Sequence, residues 1–426
     1  MDDEYANTIL KELRKGKQKE SLLRPHYSKY SLPNLSATIL NHFLGKRSDA
    51  IDDESIKQVF EGSETIILIL VDGLGYNFMK RSLNGRDSHI LRAVVDSGLT
   101  IPITSTFPTT TTTALTSLNT ALTPQEHGII GHTMFLKEFG TVANMIKFTP
   151  AIEPISGGLV RAGLVPENYL GSHTIYESLA NAGIESTVLT KSIYRSSILS
   201  RILHKGSSII PYVNPADLFI SLAQQVRAKV PLIFCYWDAL DTGSHIYGPE
   251  TEEAQAIFRN FLFSFYTEFI RKLTRTQSRS TSVLMTGDHG LVTAERNESI
   301  IANEYPSLMK NLQRPPSGDS RASFLKVIAG REDKVLGFFE KFAGKLGIFK
   351  SDELFDDGFF GRGRVREGVR EAIGEFTVLS EKGVTFRYRY KKARNETVLR
   401  GHHGGLTEEE LFVPLIGLKP ATFKIK

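Results

Sequence analysis

A single cysteine, Cys235, in a chain of 426 residues excludes an internal disulfide. It lies in the apolar run PLIFCYW, where it reads as a small buried hydrophobe rather than a reactive thiol. No uncharged apolar run approaches the roughly 20 residues needed to span a bilayer. The first twenty residues, MDDEYANTILKELRKGKQKE, are polar and lack the apolar core of a secretory signal. Internal repeats are absent, and low complexity is confined to the threonine run at 109–113. These absences predict a soluble, cytoplasmic chain held by its core. With 41% hydrophobic residues the chain has enough apolar material for one large domain plus an insertion.

Charge is unevenly distributed. The whole chain carries +5, yet residues 362–400 hold 11 Lys/Arg against 5 Asp/Glu, so the remainder is near neutral. Such a patch attracts anionic substrates through its field alone, and a solvated surface explains it equally well. It is poor evidence for nucleic-acid binding. Phe386, Tyr388 and Tyr390 alternate with Arg387 and Arg389 as in an ordinary half-buried strand.

Apolar runs with strand character at 65–71, 186–190, 232–237, 282–286 and 411–418 alternate with helical patterns at 176–182, 215–229 and 252–273. This alternation predicts an α/β fold with a mostly parallel central sheet flanked by helices. A further helix is expected after Thr111, stopping near 124–128, and the best helix of the opening segment covers 36–44. The pattern changes near Val292. Residues 323–329 read as a strand, 334–345 as a helix, and 376–379 with 384–390 as a hairpin turning at Gly383. The expected organisation is an extension over 1–60, a core formed by 61–296 and 400–426, and an α+β insertion or cap over 297–399.

Five segments carry the chemistry: ILILVDGLG (67–75), TFPTTTTTALTSL (106–118), YWDALDTGSHIYGP (236–249), MTGDHGL (285–291) and GHHGGL (401–406). Three run from an apolar stretch into a carboxylate. Ligands of open α/β sheets bind beyond the carboxyl ends of the strands, so Asp72, Asp241 and Asp288 are expected to converge. Asp241 and His245, four residues apart, can reach one ion from a loop or helical turn, and Asp288 adjoins His289. Two metals about 3.5–4 Å apart would clamp an in-line phosphoryl displacement. The mixed carboxylate and imidazole donors suit zinc, with manganese as the alternative. A threonine at a helix start beside such metals sits among free N–H groups, where an anion is favoured. Asp238 reads either as support for a ligand or as an ordinary strand-end polar residue.

In this order the motifs VDGLG, FPTTTTTALTSLNTALTPQEHGIIGH, DTGSHIYGP, TGDHG and GHHGG resemble the alkaline phosphatase superfamily. Within it they resemble the type I phosphodiesterase/nucleotide pyrophosphatase family, over residues 67–406. The resemblance implies an alkaline phosphatase-like fold, two divalent metals and a phospho-threonine intermediate. It implies that Asp72, Asp288 and His289 hold one metal together with the nucleophile, and that Asp241, His245 and His403 hold the other. His403 is preferred to His402 by the G-x-H-G form. The spacing to the PQEHG segment favours Thr111 as nucleophile, ahead of Thr110 and then Thr106, although the sequence TFP points to Thr106. Two departures stand out: Ala114 follows the threonines where an asparagine is often found, and Ala121 stands where glycine is usual.

The implied activity is hydrolysis of a phosphodiester or phosphoanhydride in a small phosphate ester such as a nucleotide. The alternatives are a phosphomonoesterase, phosphonate hydrolase or phosphomutase of the same superfamily, or a metal-binding module without activity. A sulfatase is disfavoured because Cys235 lacks the Cys-x-Pro-x-Arg setting. His127 is expected to be structural at a helix end capped by Gly128, and His132 and His173 are expected not to be ligands. Arg321, in SGDSRASFL, is expected to be salt-bridged to Asp319 or a glutamate rather than catalytic.

Overall fold

Uninterrupted runs of β-branched and aliphatic residues, such as TIILILV at Thr65–Val71, build a seven-stranded central sheet. Its strand order is Gly98–Thr104, Phe412–Leu418, Thr281–Thr286, Thr65–Val71, Leu232–Trp237, Ser186–Lys191, Ser208–Tyr212. The computed structural model describes residues 3–15, 22–45, 47, 49–85, 87–295, 298–381, 383–391 and 399–425. Only Phe412–Leu418 runs against the others, pairing antiparallel with both of its neighbours. Every residue of Thr65–Val71, Thr281–Thr286 and Phe412–Leu418 is buried, which requires cover on both faces of the sheet. Helices supply that cover, as the alternating pattern implied. Helix Pro215–Arg227 begins with Asn214 accepting from the N–H groups of Ala216 and Asp217, and it buries Leu218, Phe219 and Leu222.

Several expected boundaries shift for local reasons. The long helix expected over 252–273 runs regularly from Glu252 to Ser264, then widens into a π-turn at Phe265–Phe269 and tightens at Ile270–Lys272. The helix after Thr111 ends at Thr120, before the expected stop, because Ala121 turns left-handed at φ 57°. That conformation accounts for the usual glycine at this position, since a left-handed residue with a Cβ is strained. A separate short helix, Pro124–His127, follows and is closed by Gly128 at φ 80°.

A second sheet also has seven strands, all paired antiparallel, in the order Leu346–Lys350, Phe376–Ser380, Ala322–Leu325, Ser317–Gly318, Thr133–Leu136, Thr141–Asn144, Thr149–Pro150. Strands from within the expected insertion, between 317 and 380, therefore share a sheet with residues 133–150, joined where Gly318 pairs with Thr133. A small core of Leu325, Val335, Phe338, Val378 and Phe386 lies under this region, whereas Phe324, Phe355, Phe359 and Phe360 pack into the main core. The hairpin expected at 376–390 does not form. Phe376–Ser380 pairs with Ala322–Leu325 and Leu346–Lys350, while Thr385–Arg387 pairs in parallel with Ser299–Ile301. Gly383 does make the turn, but the chain then crosses to a distant partner. Asn297, the expected start of the insertion, and positions 392–398 of the basic stretch lie outside the described residues.

Candidate active site

Strand register brings the carboxylates together. Val71 pairs with Trp237, and Leu70 with Thr286, so three neighbouring strands end at one level. Asp72 follows Val71 directly, Asp288 comes one glycine after Thr286, and Asp241 projects from the first turn of helix Ala239–Tyr247. Gly73 makes this approach feasible: it is left-handed at φ 81°, and a Cβ there would lie 2.9 Å from the Asp241 Cα. Asp288 Oδ1 accepts from the N–H groups of Gly73 and His289, both at 2.9 Å.

Helix Thr111–Thr120 presents the hydroxyls. Its interior threonines tolerate the helix by bonding back one turn, Thr116 to the Thr112 carbonyl at 2.6 Å and Thr120 to that of Thr116 at 2.7 Å. The three candidate nucleophiles differ in their partners. Thr106 is fully buried and donates to the Pro108 carbonyl at 3.2 Å. The Thr110 hydroxyl donates to Asp319 at 3.1 Å. Thr111 Oγ1 faces His289 Nε2 at 3.2 Å. Of the three, only Thr111 points at the carboxylate and imidazole cluster.

The histidines arrive from separate elements. His289 Nε2 lies 3.3 Å from Asp288 Oδ2 and 3.7 Å from Asp72 Oδ1. His245 Nε2 lies 3.3 Å from Asp241 Oδ2, and its Nδ1 lies 2.7 Å from the Gly401 carbonyl. His403 Nδ1 lies 2.9 Å from the Thr109 carbonyl, and its ring stacks on that of His289 with centroids 3.8 Å apart. His402 turns away, with Nδ1 3.0 Å from the Ser320 hydroxyl and Nε2 3.2 Å from the Leu399 carbonyl. Two compact groups result, Asp241–His245–His403 and Asp72–Asp241–His289, each within reach of a single ion. Asp241 belongs to both. Asp288 closes the second group through its 3.3 Å approach to His289.

Asp72 Oδ1, Asp241 Oδ1 and Asp288 Oδ2 are buried and make no hydrogen bond. Burial, reinforced by Asp288 and Asp241, pushes the Asp72 carboxyl well above its usual range. Burial likewise raises Asp241, against the pull of His245 and His289. Burial holds His403 neutral, helped by the nearness of His289 and His245. Uncompensated buried anions are expensive, and neutral imidazoles with a free ring nitrogen are the form that binds metal. The donor set therefore fits divalent cations.

Surrounding groups hold these side chains in place. The Tyr236 hydroxyl donates to Asp72 Oδ2, and Tyr212 donates to the Tyr236 carbonyl at 2.7 Å. Asp238 accepts from Tyr194 at 2.6 Å and from Lys191 at 3.2 Å. Thr109 fastens the GHHGG loop, accepting from Gly404 N–H at 3.0 Å and donating to the Gly405 carbonyl at 2.8 Å. The salt bridge expected for Arg321 exists, but its partner is Glu410. Both side chains are fully buried, with Nε–Oε1 at 3.0 Å and Nη2–Oε2 at 2.9 Å. Glu410 Oε1 then accepts from Gly405 N–H at 2.8 Å, so the pair also steadies the loop bearing His403. His127 is enclosed against Ser117, and burial first, then Arg366, lowers it to about 3. His173 is exposed.

Two residues near the site were given no role there by the sequence, Asp319 being considered only as a partner of Arg321. Tyr236 passed as part of an apolar strand, although its place next to the strand end was a usable signal. Asp319 bridges the Thr110 hydroxyl and the His132 N–H, each at 3.1 Å, and its position in the SGDS turn was the available clue.

The type I phosphodiesterase/nucleotide pyrophosphatase family matches residues 66–406. Murine ectonucleotide pyrophosphatase/phosphodiesterase 5 has a similar structure, at TM-score 0.62 and 17% identity over 82% of this chain and 87% of that one. An inactive variant of it in complex with AMP gives 0.60 and 16%, over 82% and 87%. Phosphonoacetate hydrolase from Sinorhizobium meliloti 1021, in complex with phosphonoformate, gives 0.61 and 16%, over 83% and 89%. No curated protein matches the chain in sequence. Among the described residues no helix is long and apolar enough to cross a membrane. The convergence of strand-end carboxylates, the matching family over most of the sequence and the shared fold place this chain among the type I phosphodiesterases/nucleotide pyrophosphatases of the alkaline phosphatase superfamily, hydrolases of phosphoric ester bonds.

Proposed function

We propose that the chain hydrolyses a phosphodiester or phosphoanhydride through a covalent phospho-threonine at Thr111, with two divalent metals, zinc or manganese. One observation carries this reading: Thr111 Oγ1 faces a cluster in which three carboxylates each keep one buried oxygen that makes no hydrogen bond. Asp72, Asp288, His289 and Thr111 would hold one metal, and Asp241, His245 and His403 the other. Bound metals supply charge that favours a threonine alkoxide and offsets the negative charge developing on the transferred phosphoryl group.

The protein's own groups account for the rest. Thr111 opens its helix, so the first-turn N–H groups face an incoming anion. Asp319 fixes the preceding Thr110, and thereby the entry of the chain into that helix. The Thr109 contacts and the Arg321–Glu410 pair hold the His403 loop against the same turn. The AMP complex of the murine relative supports a substrate that contains a nucleotide. Similarity to phosphonoacetate hydrolase keeps a phosphonate substrate as the second reading.

The test is release of p-nitrophenol from bis-p-nitrophenyl phosphate and from the monoester, with zinc, manganese or chelator. Chelator-sensitive preference for the diester is expected, and Thr111→Ala should abolish turnover while retaining bound metal. Preference for the monoester would shift the reading to a phosphatase or mutase. Bound metal without cleavage of any phosphate ester or phosphonate would leave a binding module.

A further inference from the structure

Among the described residues, the four most exposed large apolar side chains are Ile152, Ile155, Ile193 and Val213, at 67–69% accessibility. None belongs to an α-helix or a strand, so none is the outer side of an element packed on its inner one. They gather in one region all the same. Val213 follows strand Ser208–Tyr212 and Ile193 follows strand Ser186–Lys191, parallel neighbours in which Lys191 pairs with Tyr212. The turn holding Ile152 and Ile155 leads to Gly157, where a Cβ would lie 3.3 Å from Ile198 Cδ1. Ile198 opens the helix that comes just after Ser192–Tyr194. Ile146, also exposed, and Tyr194 wall the cavity at Thr111, so the cluster borders the mouth of the site.

Three cations stand among these side chains. Lys147, Arg195 and Lys391 are exposed, and none pairs with a described carboxylate. The Lys147 carbonyl accepts from Gly157 N–H at 2.8 Å, the Lys391 ammonium donates to the Glu153 carbonyl, and Arg195 lies two residues beyond Ile193. The nearby carboxylates are engaged elsewhere. Glu153 pairs with Arg161 at 3.4 Å, Asp217 accepts from the N–H groups of Val213 and Asn214, and Asp238 holds Lys191 and Tyr194. The rim is thus apolar and positively charged at once.

We infer that this rim is a docking face for an anionic lipid bilayer, with the four apolar side chains entering the headgroup region and Lys147, Arg195 and Lys391 meeting lipid phosphates. Peripheral attachment draws on these two terms, buried apolar area and attraction to anionic lipid. A second copy of the chain is the poorer occupant. A two-fold contact sets the same patch against itself, and three uncompensated cations would then face their own kind. A protein partner must receive each apolar anchor in a fitted pocket, whereas a fluid layer accepts side chains that project singly from separate turns. Docking in this pose brings the Thr111 cavity to the bilayer, and it holds whichever phosphate ester the site cleaves.

The experiment measures partitioning of the full chain onto large vesicles by sedimentation, with phosphatidylglycerol mixed into phosphatidylcholine and with phosphatidylcholine alone. Binding to the mixed vesicles is expected, weakening with salt and far exceeding that to pure phosphatidylcholine. Ile152→Ser, Ile155→Ser and Ile193→Ser should each lower the partition coefficient on the order of tenfold. Lys147→Gln, Arg195→Gln and Lys391→Gln should each lower it about fivefold. Phe263→Ser, which removes an exposed apolar side chain from helix Glu252–Ser264, should leave it unchanged. No binding to the mixed vesicles, or an equal loss in Phe263→Ser, would overturn the docking face. Self-association of the parent that Ile155→Ser and Ile193→Ser abolish, without vesicle binding, would overturn it in favour of an interface between copies. No turnover enters this measurement, so its failure would leave the hydrolase reading untouched.

Discussion

The site contains two buried groups of charge, close together and opposite in construction. In the Arg321–Glu410 pair every requirement is met: two parallel contacts join the side chains, and Gly405, Thr407 and the Val384 carbonyl take up the remaining capacity. In the Asp72–Asp241–Asp288 group each carboxylate keeps one buried oxygen that makes no hydrogen bond. Asp72 and Asp288 are buried like Arg321 and Glu410, so burial alone does not distinguish function from support. Satisfaction does. A complete buried pair holds a loop, and an incomplete one marks the place where a ligand must complete it.

The contrast can be broken most forcefully at its satisfied end. Arg321→Met strands Glu410 as a buried anion and should cost about 3–5 kcal/mol in denaturant unfolding. A loss below about 1 kcal/mol would mean that the pair is not the support described. At the open end, Tyr236→Phe removes the hydroxyl that holds Asp72 and should weaken zinc affinity roughly 10–100-fold in a chelator competition, with little change in unfolding. Unaltered affinity would take Tyr236 out of the site.

The smallest effect is a difference in sign with pH. Burial alone would raise Glu410, but Arg321 and its hydrogen bonds hold it below the ordinary 4.5. Its contribution to stability is therefore present above that value and is lost as pH falls through the folded one. Asp72 and Asp241 are raised above 3.8, so in the metal-free protein they retain protons that the unfolded chain has released. Stability then declines as pH rises from 3.8 through their folded values, by at most about 1.4 kcal/mol per pH unit for each group. Asp72→Asn should flatten that decline in chelated protein and make it more stable than the parent at neutral pH. A less stable variant would show that the carboxylates are compensated after all.

Much of the site was legible because its signals are local. A buried parallel strand writes itself as an apolar run, and the carboxylate after it marks the strand end, as at 65–72 and 281–288. Asp241 and His245 share one helical turn, so their spacing alone brought them together. What stayed hidden depends on pairing across long sequence distances. Thr385–Arg387 looked like half of a hairpin because alternation reports a strand and not its partner, which is Ser299–Ile301. The continuation of the second sheet into 133–150 rests on one contact between Gly318 and Thr133, which no periodicity reveals. Arg321 and Glu410 lie 89 residues apart, so sequence suggested a salt bridge but could not choose its partner.

The position of Phe412–Leu418 has a consequence for biosynthesis. This late strand is inserted between Thr281–Thr286 and Gly98–Thr104, two strands that do not otherwise touch. Until it leaves the ribosome, both neighbours display open edges, the kind that invites pairing with other chains. The loop carrying His403 is anchored by Glu410, immediately before that strand. A nascent chain can thus carry Thr111 and all three carboxylates and still lack His403, so the proposed hydrolytic activity should arrive abruptly, once the Phe412–Leu418 strand has been made.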